Sequence, residues 1–191
     1  MSVTDKREEI IRASLELIAE HGFHGAPMSM IADRAGVAAG TIYRYFENKD
    51  ALITSLYREI DERIGAVIMK DYAQEKPLRE RFHHIFTALL RYFIANPSDF
   101  HYLEQFHNSP YGVALRRDII LRKSGDCFIY RDLLEEGVAQ QVIKDLPMAI
   151  LFDLAFAPLK AVARDHILNF ITLDDAMIDR IMEACWDGIR R

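Results

Sequence analysis

Along this chain apolar residues recur at helical spacing in one segment after another, and little interrupts them: nine Gly and six Pro stand among 191 residues. An all-β fold needs many more tight turns than so few breakers can make, so long helices are favoured. With half of its residues apolar the chain can bury a core, which excludes disorder. The start, Met-Ser-Val-Thr-Asp-Lys-Arg-Glu-Glu, lacks the apolar stretch of a secretory signal, and no run approaches membrane-spanning length, so no membrane partner is expected. Two cysteines, Cys127 and Cys185, are too few for a disulfide framework; they read as small buried apolar residues of a reduced, cytoplasmic chain. The net charge of −5 argues against a general basic coat, so any nucleic-acid contact must be local. Residues 34–49 offer such a local excess, with Arg34, Arg44 and Lys49 against Glu47.

The periodicity predicts a first helix from a cap at Thr4 or Asp5 to Gly22, carrying Ile10, Ile11, Leu15, Leu17 and Ile18. A short helix over Met28–Ala35 stops at Gly36, where positive φ is available, and another over Ala38–Phe46 follows. Asn48 is placed to cap a long fourth helix with Leu52, Leu56, Ile60, Ile64 and Ile68 on one stripe. Leu78–Asn96 resumes the helical spacing, Ser109–Gly112 reads as a turn, and Val113 to about Val138 is amphipathic. Two last helices are expected, one from Pro147 to about Phe170 with a kink at Pro158, and one over Leu173–Ile189 capped by Thr172. The fold class is therefore all-α with about nine helices: an N-terminal three-helix domain over residues 1–48 and a helical domain over 49–191.

Two short helices joined through Gly36-Val37 match a helix-turn-helix, with the first helix as brace. On a helical wheel Ile42 and Phe46 share the inward side, which turns Gly40, Thr41 and Arg44 outward with Tyr43 and Tyr45 flanking. That set suits a major groove. Gly40 admits close backbone approach, Thr41 presents a hydroxyl and a methyl, and Arg44 can fork onto guanine. Tyr43 and Lys49 suit phosphates, and Lys49 also opens the fourth helix, whose N-terminal amides favour an anion.

Gly22-Phe23, Ile31-Ala32, Ala35-Gly36-Val37, the run from Gly40 to Phe46 and Lys49-Asp50-Ala51-Leu52 together resemble the signature of the TetR/AcrR repressor family, over about residues 5–60. The resemblance implies a homodimeric transcriptional repressor of double-stranded operator DNA, released by a small ligand and not an enzyme. Carried over by position, it implies Ser29, Ala39, Gly40, Thr41, Tyr43, Arg44, Tyr45 and Lys49 as DNA-facing. Pro27 and Ala38 depart from the family's hydroxyl residues at the starts of the second and third helices, which removes two groups able to cap a helix or bind phosphate. Because activators also use this reading head, repression follows from the family alone.

So short a recognition helix reads few base pairs, and selectivity calls for two copies one DNA turn apart, roughly 34–36 Å, or some multiple, on a near-palindrome. The last two helices can pair with their mates, with Ala155, Leu159, Val162, Ile178, Ile181, Cys185 and Trp186 as interface candidates or as intramolecular core. Between Phe82 and Tyr130 aromatic walls and polar groups suggest a site for a mainly apolar or aromatic effector. Tyr102, Phe106, His107, Tyr111, Cys127 and Phe128 are the candidates there, with core packing as the alternative for each. Effector binding beside the fourth helix is expected to favour a conformer whose reading heads leave the groove spacing. No metal is expected, since His83, His84, His101 and His107 lack ligand spacing, and no cofactor motif appears. An enzyme using Cys127, His107 or Asp153 finds no nucleophile motif or phosphate loop; a protein-binding module is the other alternative, and salt-dependent DNA binding separates it.

Overall fold

The computed structural model describes residues 3–120 and 128–191. Among these residues it is all-α, with ten helices: α1 (Val3–Gly25), α2 (Met28–Arg34), α3 (Ala39–Ile42), α4 (Lys49–Met69), α5 (Leu78–Ala95), α6 (Pro97–His107), α7 (Pro110–Ile120), α8 (Phe128–Ala139), α9 (Met148–Ile167) and α10 (Asp175–Ile189). The count exceeds the about nine expected because the stretch after Asn96 forms a separate α6, opened by Pro97 at a first helical position, and the described residues of the expected Val113–Val138 stretch fall in two helices, α7 and α8. The expected turn at Ser109–Gly112 is instead the start of α7. Ser109 Oγ faces the Gly112 amide at 3.4 Å and donates to the Phe106 carbonyl at 2.6 Å, so a Ser-Pro pair marks a helix start here.

The chain divides into two compact units, Met1–Arg63 with Asn96–Ala114, and Ile64–Ala95 with Leu115–Arg191. In the first, α1 buries Ile10, Ile11, Ala13, Leu17 and Ile18, while Leu15 is half-buried. Thr4 and Asp5 lie within α1 rather than ahead of it, and Gly22 at φ 73° interrupts a helical run that goes on to Gly25. α6 is fastened to α1 and α4. Gln105 donates to the Ile18 carbonyl at 2.8 Å, Tyr102 donates to the Ile53 carbonyl at 2.6 Å, and Arg63 pairs with buried Asp99 at 2.9 Å. Phe106 stacks on Tyr57 with centroids 4.2 Å apart.

α7 starts hard against the end of α6. A Cβ built at Gly112 would lie 2.3 Å from the Phe106 carbonyl oxygen and 2.4 Å from His107 Cα, so only glycine fits there. Gly112→Ala is therefore expected to cost about 1–3 kcal/mol in urea unfolding, because the obstruction is backbone and cannot step aside. An unchanged midpoint would refute the close approach.

In the second unit α5 packs against α8, α9 and α10, and α9 against α10. Phe82, Phe86, Leu89 and Leu90 of α5 meet a core of Leu133, Leu134, Leu151, Ala155, Leu159, Met182 and Trp186. Trp186 lies 5.3 Å from Phe82 ring to ring. Arg81, nearly buried, donates to Tyr72 at 2.9 Å and to Glu136 at 2.7 Å, which ties the α4–α5 connection to α8. Two caps differ from expectation. Asp174, not Thr172, caps α10 by accepting the Met177 amide at 2.7 Å, and Pro147 is the N-cap of α9 rather than its first residue. Asp174 wins because it stands three residues before the amide it reaches, the spacing a cap requires. Pro158 lies inside α9.

Candidate nucleic-acid interface

The helix-turn-helix is set by its stops. α2 ends in a paired cap: Gly36 takes φ 64°, its amide bonds the Asp33 carbonyl at 3.2 Å, and the Val37 amide bonds Ala32 at 3.0 Å. α3 then begins after Ala38, and neither Pro27 nor Ala38 makes a side-chain cap bond, as their lack of a hydroxyl dictates. Regular helix in α3 spans four residues, shorter than the Ala38–Phe46 expected. Tighter turns continue it, with the Arg44 amide bonding Thr41 at 3.2 Å and the Tyr45 amide bonding Ile42 at 2.9 Å.

Ile42 and Phe46 are buried, as the wheel requires, and Arg7 of α1 covers the Phe46 ring at 5.5 Å while pairing with Glu59 of α4 at 2.7 Å. Brace and long helix thus hold the recognition segment from behind. Ser29, Ala39, Gly40 and Arg44 are exposed, Tyr43 is 57% exposed, and Thr41, Tyr45 and Lys49 are half-buried. Nothing lies within 4 Å of a Cβ built at Gly40, so the fold itself does not need glycine there. The side of α3 opposite the core is open.

The local positive excess is smaller than composition suggests. Arg34 turns back to α1 and pairs with Glu16 at 3.3 Å and Glu20 at 3.4 Å, which spends its charge inside the unit. Lys49 donates its ammonium to the Phe23 carbonyl; burial lowers its pKa from the ordinary lysine value, opposed by the neighbouring Asp50 charge. An ammonium has three donors, so this bond orients Lys49 and leaves two. Asn48 caps α4 as expected, accepting the Ala51 amide at 2.8 Å. The amides of Lys49 and Asp50 ahead of it have no acceptor within the helix and point outward from its positive end.

The remaining candidates are distributed differently from the sequence reading. Tyr102 and Phe106 are buried in the first unit, with the Tyr102 hydroxyl committed to the Ile53 carbonyl, which fits the core-packing alternative for both. His107 is exposed beside Tyr57, and Tyr111 donates its hydroxyl to Asp50. Cys127 lies outside the described residues, and of Phe128 only its place at the start of α8 is described. In the second unit an aromatic group that the sequence reading did not assemble comes together: Phe86, Tyr130 and Phe156 lie 5.0–5.9 Å apart, with Phe152 stacked on Phe156 at 5.6 Å. Phe152 and Phe156 stay half-buried, and their spacing of four on α9 was the available signal.

Of the interface candidates, Ala155, Leu159, Ile178, Cys185 and Trp186 are buried within the single chain, as the core alternative requires; burial also raises the Cys185 thiol pKa. Val162 and Ile181 are half-buried. The same helices also carry exposed positions that the sequence reading did not name as interface candidates: Ala157 and Ala161 with Ile150 and Leu154 on α9, and Met177, Ala184 and Gly188 on α10. Among the described residues no cluster of metal-ligand side chains occurs, and no helix is long and apolar enough to cross a membrane.

An exposed recognition segment on a braced pair of short helices defines a helix-turn-helix DNA-binding protein. Residues 10–56 match the model of bacterial regulatory proteins of the tetR family, and residues 77–190 match that of the tetracyclin repressor-like C-terminal domain. The chain belongs to the tetR family of transcriptional regulators. It is 27% identical over 186 residues to the fatty acid metabolism regulator protein of Bacillus subtilis, covering 96% of this chain and 95% of that one. A TetR-family transcriptional regulator of Vibrio parahaemolyticus shares its fold at a TM-score of 0.74 with 31% identity, over 97% of this chain and 99% of that one. The B. subtilis regulator FadR, solved in complex with stearoyl-CoA, shares the fold at a TM-score of 0.74 with 24% identity, over 96% and 99% of the two chains.

Proposed function

We propose that this regulator is a repressor that binds a near-palindromic operator as a homodimer and leaves it when a mainly apolar effector binds, with DNA reading in residues 1–48 and effector binding and dimerisation in 49–191. The open face of α3 carries the reading: Gly40 and Arg44 are exposed and Thr41 is half-buried beside them, while Ile42 and Phe46 are held inside. Thr41 and Arg44 are assigned to base edges, and Ser29, Ala39, Tyr43, Tyr45 and Lys49 to the backbone and the groove walls. Dimerisation is assigned to α9 and α10. Small and apolar positions fall at i, i+4, i+7 and i+11 on each helix, the exposed Ile150, Leu154, Ala157 and Ala161 on one, and on the other Met177, Ala184 and Gly188, exposed, with half-buried Ile181 between them. Two such stripes in each of two subunits suit a four-helix interface.

The effector is assigned to the second unit, where the half-buried rings of Phe152 and Phe156 extend the buried group of Phe86 and Tyr130. The stearoyl-CoA bound by the B. subtilis regulator makes a long acyl chain the first effector to test. Release by a hundredfold requires about 2.7 kcal/mol of preference for the DNA-incompetent conformer, within reach of apolar burial on a long chain. The test is a fluorescence anisotropy titration with DNA from upstream of the protein's own coding region, at two salt concentrations, with and without stearoyl-CoA. Binding that weakens steeply with salt is expected, and acyl-CoA is expected to reverse it. A chain that ignores DNA at low salt would sink the repressor reading, whereas DNA binding indifferent to acyl-CoA would sink only this effector.

A further inference from the structure

The first turn of α4 carries two adjacent charges of opposite sign that are drawn to different partners. Lys49 reaches the Phe23 carbonyl near the end of α1, whereas the Asp50 carboxylate accepts the Tyr111 hydroxyl at the start of α7. Phe23 sits between them, edge-on to Tyr102 at 5.9 Å and to Tyr111 at 6.1 Å. Tyr111 is firmly seated. Its ring lies parallel to Phe106 at 6.3 Å, and its neighbour Gly112 fits against the α6 backbone with no room for a side chain.

Asp50 is awkwardly placed for a DNA-binding protein. A carboxylate in the first turn of a helix is attracted to the same free amides and the same lysine that a backbone phosphate needs, and it repels the phosphate itself. Left free, it competes for Lys49 and the end of α4. The Tyr111 hydroxyl gives it another partner in a charge-assisted hydrogen bond. That bond also raises the Tyr111 pKa above the ordinary phenol value, so the hydroxyl stays a donor at neutral pH.

We infer that Tyr111 is a positioning residue for DNA binding: it holds the Asp50 carboxylate aside, so that Lys49 and the first amides of α4 remain open to a phosphate. This rests on the reading of Lys49 as DNA-facing. Tyr111, placed by sequence among the effector candidates, thus acts at the other end of the regulator's chemistry.

Tyr111→Phe keeps the ring contacts and removes only the hydroxyl. On DNA from upstream of the protein's own coding region it is expected to weaken binding about three- to tenfold, equally for specific and scrambled sequences, and to flatten the salt dependence. Asp50→Asn added to the same chain is expected to restore affinity, because a neutral amide neither repels phosphate nor captures Lys49. A merely structural role for Tyr111 would lower the melting temperature and would not be cured at Asp50. Binding by Tyr111→Phe equal to that of the parent chain, or no restoration by Asp50→Asn, overturns the inference and leaves the repressor reading standing. Failure of the parent chain to bind DNA overturns that reading and this inference with it.

Discussion

Arg44→Ala is expected to abolish preference for the operator over scrambled DNA while leaving the fold unchanged. The guanidinium is exposed, and among the described residues it enters no ion pair, so its removal costs the free chain nothing in packing. A bidentate contact to guanine is worth about 1–3 kcal/mol, and a dimer would lose two of them, so specific affinity should fall by roughly thirtyfold to roughly ten-thousandfold. Gly40→Leu provides the steric counterpart. With nothing within 4 Å of its Cβ position, a side chain there starts into open space, and leucine favours the helix over glycine. Its melting temperature should hold or rise while specific binding is lost, because only an outside surface that must come close is obstructed. Competition anisotropy with scrambled duplex, paired with thermal denaturation, reads both variants. If either chain binds its operator like the parent, the face of α3 is not the reading surface.

That face was legible in the sequence because the constraints that make it are local. Gly36 stops one short helix, Ile42 and Phe46 lie four apart, and Asn48 caps the next helix, so neighbouring residues settle which side of α3 points out. The charges were harder to read. Arg34 and Lys49 count as available cations in the sequence, but Arg34 finds Glu16 and Glu20 on α1 and Lys49 finds a carbonyl, partners 14 to 26 residues away. The aromatic stretch misled for the same reason on a larger scale. Phe86 and Tyr102 are close in sequence, but one packs among α5, α8 and α9, and the other fastens α6 to α4. A density of rings along the chain does not tell which rings share a site.

Replacing Leu154 and Ala157 with glutamate is expected to yield monomers that have lost their operator. The sequence offers one set of residues on the last two helices as interface or core, because periodicity alone cannot tell which face the chain keeps for itself. α9 carries Leu151, Ala155, Leu159 and Ala163 inside, and beside them Ile150, Leu154, Ala157 and Ala161 outside. An apolar stripe left facing water on a helix this long is normally covered. Two carboxylates per subunit placed on it would meet their own copies across a two-fold axis, where burying unpaired like charges costs several kcal/mol. Sedimentation should then show a monomer, and operator affinity should fall by a hundredfold or more, because a single recognition segment contacts only one half-site. The core positions of the same helix supply the contrast. Leu159→Ala should cost about 2–5 kcal/mol of unfolding free energy through the cavity it leaves, but the surviving folded chains should still dimerise. Should the glutamate chain remain dimeric and bind its operator, the stripe faces solvent in the working protein and the two reading heads are joined elsewhere.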